Sequence, residues 1–132
     1  MRRIDVGFAG KRKFKALVRG HELAADLPVE NGGEDSAPTA TETFIASLGM
    51  CVALFAMRYL ETAGLDPRGL NVKVDWDFSE DKKRVGQISF AVNAPNAVLG
   101  ARKNALRAAA GKCTLHNTLL HHPEIAITVE GE

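Results

Sequence analysis

"TATETFIASLGMCVALFAM", residues 39–57, is the least water-loving stretch of the chain, and its reading decides the fold. It follows Pro38, and Thr39 and Glu42 have the spacing of a capping box, with Thr39 capping the backbone and Glu42 reaching back to it. Phe44, Leu48, Cys51, Phe55 and Tyr59 then recur at three- and four-residue steps, which predicts an apolar helical stripe with Cys51 on it. The opposite side, with Ile45, Met50, Ala53, Leu54 and Met57, is apolar too. A helix apolar all round is expected to be buried on every side. Residues 44–57 are shorter than the roughly 20 apolar residues that a bilayer span needs, so a core helix is the expected reading.

On the N-terminal side the pattern is short and extended. "RIDVGF", "KFKALVR" and "HELAAD" predict three modest strands, separated by Ala9-Gly10 and by Gly20, and "PVENGGEDSAP" is a polar loop. On the C-terminal side "GLDPRG", residues 64–69, ends the helix. In "LNVKVDWDFS" Leu70, Val72, Val74, Trp76 and Phe78 alternate with polar residues, marking a strand with one wet face. Residues 80–83 give a turn, and 85–94 return as a second strand with Ile88, Phe90 and Val92 inward. Residues 96–110 are alanine-rich and predict a helix; after Gly111 a shorter one carries Cys113 to Leu120, closed by Pro123. "EIAITVE" alternates again and predicts a final strand. The class is α+β, one domain over residues 1–132, with antiparallel sheets around a long central helix. A thin sheet covers one side of such a helix, so the other side calls for a partner subunit, an intertwined homodimer.

Composition excludes several functions. A net charge of +1 and scattered lysines and arginines leave no basic surplus for nucleic acid or a membrane surface. The charged "MRRID" with no apolar run behind it is unlike a secretion signal, and the expected location is the cytoplasm. Two cysteines far apart in sequence do not make a disulfide scaffold; in a reducing compartment they are either inert or redox-active.

Those cysteines are the first candidates for chemistry. A buried cysteine is most often a small hydrophobe, and that is the plain reading of Cys51. Cys113 shifts the balance, because it follows a helix break at Gly111, has Lys112 beside it and the polar "TLHN" after it. Cations and helix N-termini favour thiolate. Glu42 has its plain role in the capping box. It lies nine residues before Cys51, about 13 Å along a helix and on the opposite face, so it can serve only the partner subunit's Cys51. His21, His116, His121 and His122 supply at most the pair Cys113-x-x-His116, short of the three or four ligands a zinc site wants. No metal is expected. No phosphate loop, serine elbow or paired-carboxylate signature is present, and Asp75 and Asp77 are outward residues of an alternating strand.

"GHELAAD", the glycine-bearing loop, "APTATETFIASLGMC", the alternating hairpin and "AAAGKCTLHNTL" resemble, in order and over nearly the whole chain, the OsmC/Ohr family. The resemblance implies an intertwined homodimer with two central helices wrapped by sheets from both chains. It also implies a cofactor-free thiol peroxidase acting on organic hydroperoxides. By that likeness Cys51 matches the reactive cysteine and Cys113 the resolving one, while Glu42 matches the helix glutamate of a divergent branch. The organic-hydroperoxide branch has its glutamate one place earlier, where this chain has Thr41. The activating arginine corresponds to Arg12 or Arg19, and the usual Cys-Pro-Val-Ser is here Cys113-Thr114-Leu115-His116. The implied partners are an organic hydroperoxide, walled by Phe44, Leu48 and Phe55, and a dithiol reductant of the dihydrolipoyl or thioredoxin type. Two other readings remain open: a non-catalytic small-molecule or lipid-binding dimer with inert cysteines, and a redox sensor.

Overall fold

The computed structural model describes residues 1–131. It divides into two compact units, Met1–Ser47 and Leu48–Glu132.

The first unit carries the three expected strands, β1 (Asp5–Phe8), β2 (Phe14–Val18) and β3 (His21–Ala25), paired antiparallel in that order. β2 and β3 are joined by the two-residue turn Arg19-Gly20, whose φ angles of 47° and 82° match the twist of a tight hairpin. The register aligns Val6 with Ala16 and Ala16 with Leu23, and Phe8 with Phe14 and Phe14 with Ala25, so one face of the sheet is apolar. Phe8 and Phe14 meet edge to face with centroids 5.8 Å apart. Val6, Phe8, Phe14 and Leu23 on that face are exposed.

The loop after β3 is organised by one carboxylate. Asp26 is 2 % exposed and accepts the backbone N–H groups of Leu27, Glu34 and Ser36 and the Ser36 hydroxyl, the last at 2.6 Å. Those bonds hold its pKa down at about 2. The loop folds back so tightly that a Cβ on Gly33 would lie 2.0 Å from the Leu27 carbonyl oxygen. Then comes the capping box, as expected: the Glu42 N–H donates to Thr39 Oγ1 at 3.0 Å, and Glu42 Oε1 accepts the Thr39 N–H at 2.9 Å.

Helix α1 (Ala40–Thr62) has 23 residues, starting after the Thr39 cap and ending before the 64–69 terminator as expected, and so extends beyond the apolar run 44–57 at both ends. By length and composition it is long enough to cross a membrane, and length therefore does not exclude a span. Its buried side chains are Ile45, Leu48, Val52, Ala56 and Leu60, a stripe about one residue round from the expected one. Phe44, Met50 and Leu54 are exposed by 42 %, 67 % and 40 %, so burial on every side is not reached within one chain.

In the second unit α1 ends with Gly64 at φ 70° and the Leu65 N–H bonded back to the Leu60 carbonyl, a Schellman closure. β4 (Asn71–Phe78) and β5 (Val85–Asn93) form the expected hairpin, with a register shift at Asp77/Phe78 that leaves Phe78 exposed rather than inward. The helix approaches β4 at Gly49, where a Cβ would lie 2.9 Å from Val74 Cγ2. The core gathers Val52, Ala56 and Leu60 of α1, Leu106 and Ala110 of α2 (Lys103–Ala110), and Cys113 at the head of α3 (Thr114–Leu120).

Two expectations need correction. Residues 96–110 are not one helix: a single 3₁₀ turn spans Gly100–Arg102 and α2 starts only at Lys103, because Gly100 takes a left-handed φ of 55° that a helix cannot continue through. "EIAITVE" is not a strand; it has no ladder partner among the described residues, and Ile125, Ile127 and Val129 are 79 %, 87 % and 92 % exposed. An alternating pattern becomes a strand only when a second strand accepts its backbone bonds.

Candidate active site: a thiol pair in the second unit

The second unit brings the two cysteines together. Cys51, on the middle of α1, is half-buried and packs against the core cluster that contains Cys113. Both are free thiols, and Cys51 neighbours Cys113 in that core. α2 and the break at Gly111 set the position of Cys113, the N-cap of α3: its sulfur accepts the His116 N–H at 3.1 Å. The side chain is fully buried. Burial pushes the Cys113 thiol up, the His116 N–H pulls it down, and the neighbouring Cys51 sulfur adds to the rise. The raised pKa favours the protonated thiol at Cys113.

The other expected site residues have individual surroundings. Phe55 lies one turn beyond Cys51 and is half-buried in the same cluster, whereas Leu48 is 1 % exposed and lines no open surface of the chain. Phe44 is exposed. Glu42 is engaged in the capping box. Arg19 occupies the β2–β3 turn and is exposed. Arg12 extends alongside Gly32, its Nε 3.6 Å from where a Cβ on that glycine would stand. Lys11 and Lys13 on either side of it pair with Glu34, but Arg12 has no carboxylate within reach among the described residues. Its charge is uncompensated. Among the described residues no three His, Cys, Asp or Glu side chains converge as a metal site would require.

One nearby cation was missed by sequence reasoning. Arg58 holds its guanidinium 5.2 Å from the centre of the Phe55 ring. Its seven-residue spacing from Cys51 was the available signal.

Comparison with known proteins gives one family and many folds of the same kind. The family described as "OsmC-like protein" matches residues 33–128. No curated protein matches the sequence significantly. A structure from Psychrobacter arcticus 273-4, described by osmotic stress induction and detoxification response, superposes with a TM-score of 0.81 at 20 % identity, covering 89 % of this chain and 88 % of that one. An organic hydroperoxide resistance protein OsmC from Legionella pneumophila gives 0.63 at 15 % identity, covering 90 % of each chain. One from Elizabethkingia anophelis, also an organic hydroperoxide resistance protein, gives 0.65 at 17 %, covering 92 % and 91 %. At these identities the likeness establishes the fold.

Proposed function

The chain belongs to the OsmC-like family, and on that premise we propose that it is a cysteine-based thiol peroxidase that reduces organic hydroperoxides. One observation carries the proposal: a half-buried thiol packs against the core cluster that holds a second, fully buried thiol. Hydroperoxide resistance is the role named for several of its structural relatives.

The mechanism follows from the asymmetry of the pair. Cys51 is the exposed partner and attacks, as thiolate, the distal oxygen of the hydroperoxide. The S–O bond forms as the O–O bond breaks, and the alkoxide leaves and takes a proton from water. Cys51 is now a sulfenic acid. The Cys113 sulfur attacks it, the Cys113 proton leaves with the hydroxyl as water, and a disulfide joins the two. An external dithiol, of the dihydrolipoyl or thioredoxin type, returns two electrons and two protons. No cofactor enters these steps.

Activation of Cys51 is assigned to an arginine, Arg12 or Arg19, neither of which has a carboxylate within salt-bridge reach among the described residues. Glu42 orients that arginine across a homodimer, since helix geometry sets it on the far face from its own Cys51. The exposed Phe44, Met50 and Leu54 on α1 and the apolar sheet face of Val6, Phe8 and Phe14 support a second copy as their cover. In this reading the protein is cytoplasmic and α1 is a core helix rather than a span.

Counting free thiols after a slight excess of cumene hydroperoxide tests the function. A peroxidase loses two thiols per chain and turns over when a dithiol is added. Retention of both thiols sinks the proposal in favour of a binding dimer, and oxidation without turnover favours a sensor. Sedimentation at micromolar concentration should give twice the 14.2 kDa chain mass.

A further inference from the structure

Helix α2 opens on Lys103 and carries Lys103, Leu106 and Arg107 on one side, at i, i+3 and i+4. Leu106 is buried in the core, while the two cations are exposed. From β5 come Phe90 and Val92, two apart and so on one face of the strand, and Leu99 precedes the Gly100 kink. These six side chains line a cavity of about 340 Å³. That is the small end of the ~300–1,000 Å³ range of ligand sites. Neither cysteine lines it, and the peroxide chemistry proposed above makes no use of it.

The lining divides by chemistry. Phe90, Val92, Leu99 and Leu106 are apolar. Lys103 and Arg107 stand one turn apart, about 6 Å along the axis, close enough for both to reach one anionic group. Neither has a carboxylate within salt-bridge reach among the described residues, whereas Lys11, Lys13, Lys15 and Arg68 are paired. Like charges at this spacing repel, so a bound anion relieves that repulsion as well as filling the cavity. Arg107 Nη1 donates to Asn104 Oδ1 at 2.9 Å, which steadies the guanidinium and leaves its remaining N–H groups for a ligand.

We propose that this cavity binds a compact apolar monocarboxylate, its carboxylate gripped by Lys103 and Arg107 and its apolar body laid on Phe90, Val92, Leu99 and Leu106. The carboxylate takes charge-assisted hydrogen bonds from both cations, and the planar guanidinium matches its two oxygens. The apolar lining discriminates against a small hydrated anion such as acetate, which has little surface to bury there. The ligand is held rather than transformed, since no cysteine, serine or carboxylate lines the cavity. The site stands independently of the peroxidase reading.

Calorimetry on the full-length reduced protein, with 4-phenylbutanoate as the probe, tests this. Wild type should bind the probe about tenfold more tightly than 4-phenylbutan-1-ol, the worth of a charge-assisted hydrogen bond, and more tightly than acetate. In Lys103→Gln/Arg107→Gln the acid and the alcohol should bind alike. Both substituted positions are exposed, and the acid-to-alcohol ratio is internal to each protein, so a change in overall stability does not disturb it. Leu99→Trp fills the cavity and leaves both cations in place; it should weaken 4-phenylbutanoate binding about tenfold. Cys51→Ser should bind the probe as wild type does, which separates this site from the thiol pair. Equal binding of acid and alcohol by wild type, or an acid preference that survives in the double variant, overturns the site. So does undiminished binding to Leu99→Trp, or loss of binding in Cys51→Ser.

Discussion

Cys51 packs against the core cluster that holds Cys113, and of the two only Cys113 is sealed from water. In the proposed peroxidase, this unequal exposure supports Cys51 as the attacking thiol and Cys113 as the resolving one. Cys51→Ser should abolish peroxide consumption. Cys113→Ser should still reduce one equivalent and then stop, leaving Cys51 as a sulfenic acid that a dimedone-type probe labels. Mass spectrometry after one equivalent of peroxide distinguishes the labelled variant from the disulfide of the wild type. Labelling at position 113 in a Cys51→Ser protein would reverse the assignment.

Glu42 fills a structural role in the capping box, and the catalytic role proposed for it can be tested separately. Glu42→Gln preserves the capping box and should leave the melting temperature nearly unchanged, whereas Glu42→Ala should cost on the order of 1 kcal/mol in urea denaturation. If Glu42 also orients an arginine, both variants lower the peroxidase rate. Mixed dimers with Cys51→Ser in one chain and Glu42→Ala in the other should keep about half the activity when the glutamate acts across the interface. Collapse of activity in the mixed dimer would show that it acts within its own chain.

Gly49 lets α1 approach β4 because its missing Cβ would stand 2.9 Å from Val74 Cγ2. Gly49→Ala raises helix propensity but overpacks this contact, and the second effect wins: a loss of about 1–3 kcal/mol is expected. Val74→Ala in the same chain should restore part of it. A stabilised single variant would show that the helix can shift freely away from the sheet.

Asp26 makes the loop between β3 and α1 acid-sensitive. Its pKa falls from 3.8 to about 2 on folding, chiefly through the Ser36 hydroxyl and N–H. A depressed pKa means that the carboxylate's stabilising contribution is complete above pH 3.8 and disappears as the pH falls through about 2. Asp26→Asn should therefore lower the melting temperature at neutral pH, and the gap from wild type should narrow between pH 4 and pH 2. A gap constant over that window would mean that the loop is held by something else.

The parts of the fold written in neighbouring residues were legible. The capping box needs only Thr39 and Glu42 three apart, and the β4–β5 hairpin needs only alternation and a turn. What depends on distant or absent partners was not. The meeting of Cys51 and Cys113 is decided by how α2 returns to α1, which no local spacing encodes. Residues 124–130 carry a strand's alternation yet remain unpaired, since pattern supplies a face and not a neighbour. The buried stripe of α1 was displaced because both sides are apolar, so periodicity gave no reason to prefer one. The choice between Arg12 and Arg19 is open in sequence for the same reason: both sit in the N-terminal hairpins, and neither has a carboxylate partner among the described residues.

Cys113 holds the first turn of α3 with the same sulfur that would enter a disulfide. A thiol can face Cys51 and still accept the His116 N–H, but a second covalent bond fixes the direction of the sulfur's remaining lone pairs. A disulfide between the two would therefore bear on the anchoring of a seven-residue helix too short to persist unaided. If the pair is oxidised in the proposed cycle, α3 should loosen and refasten on reduction, so that amide exchange at His116 would report the redox state.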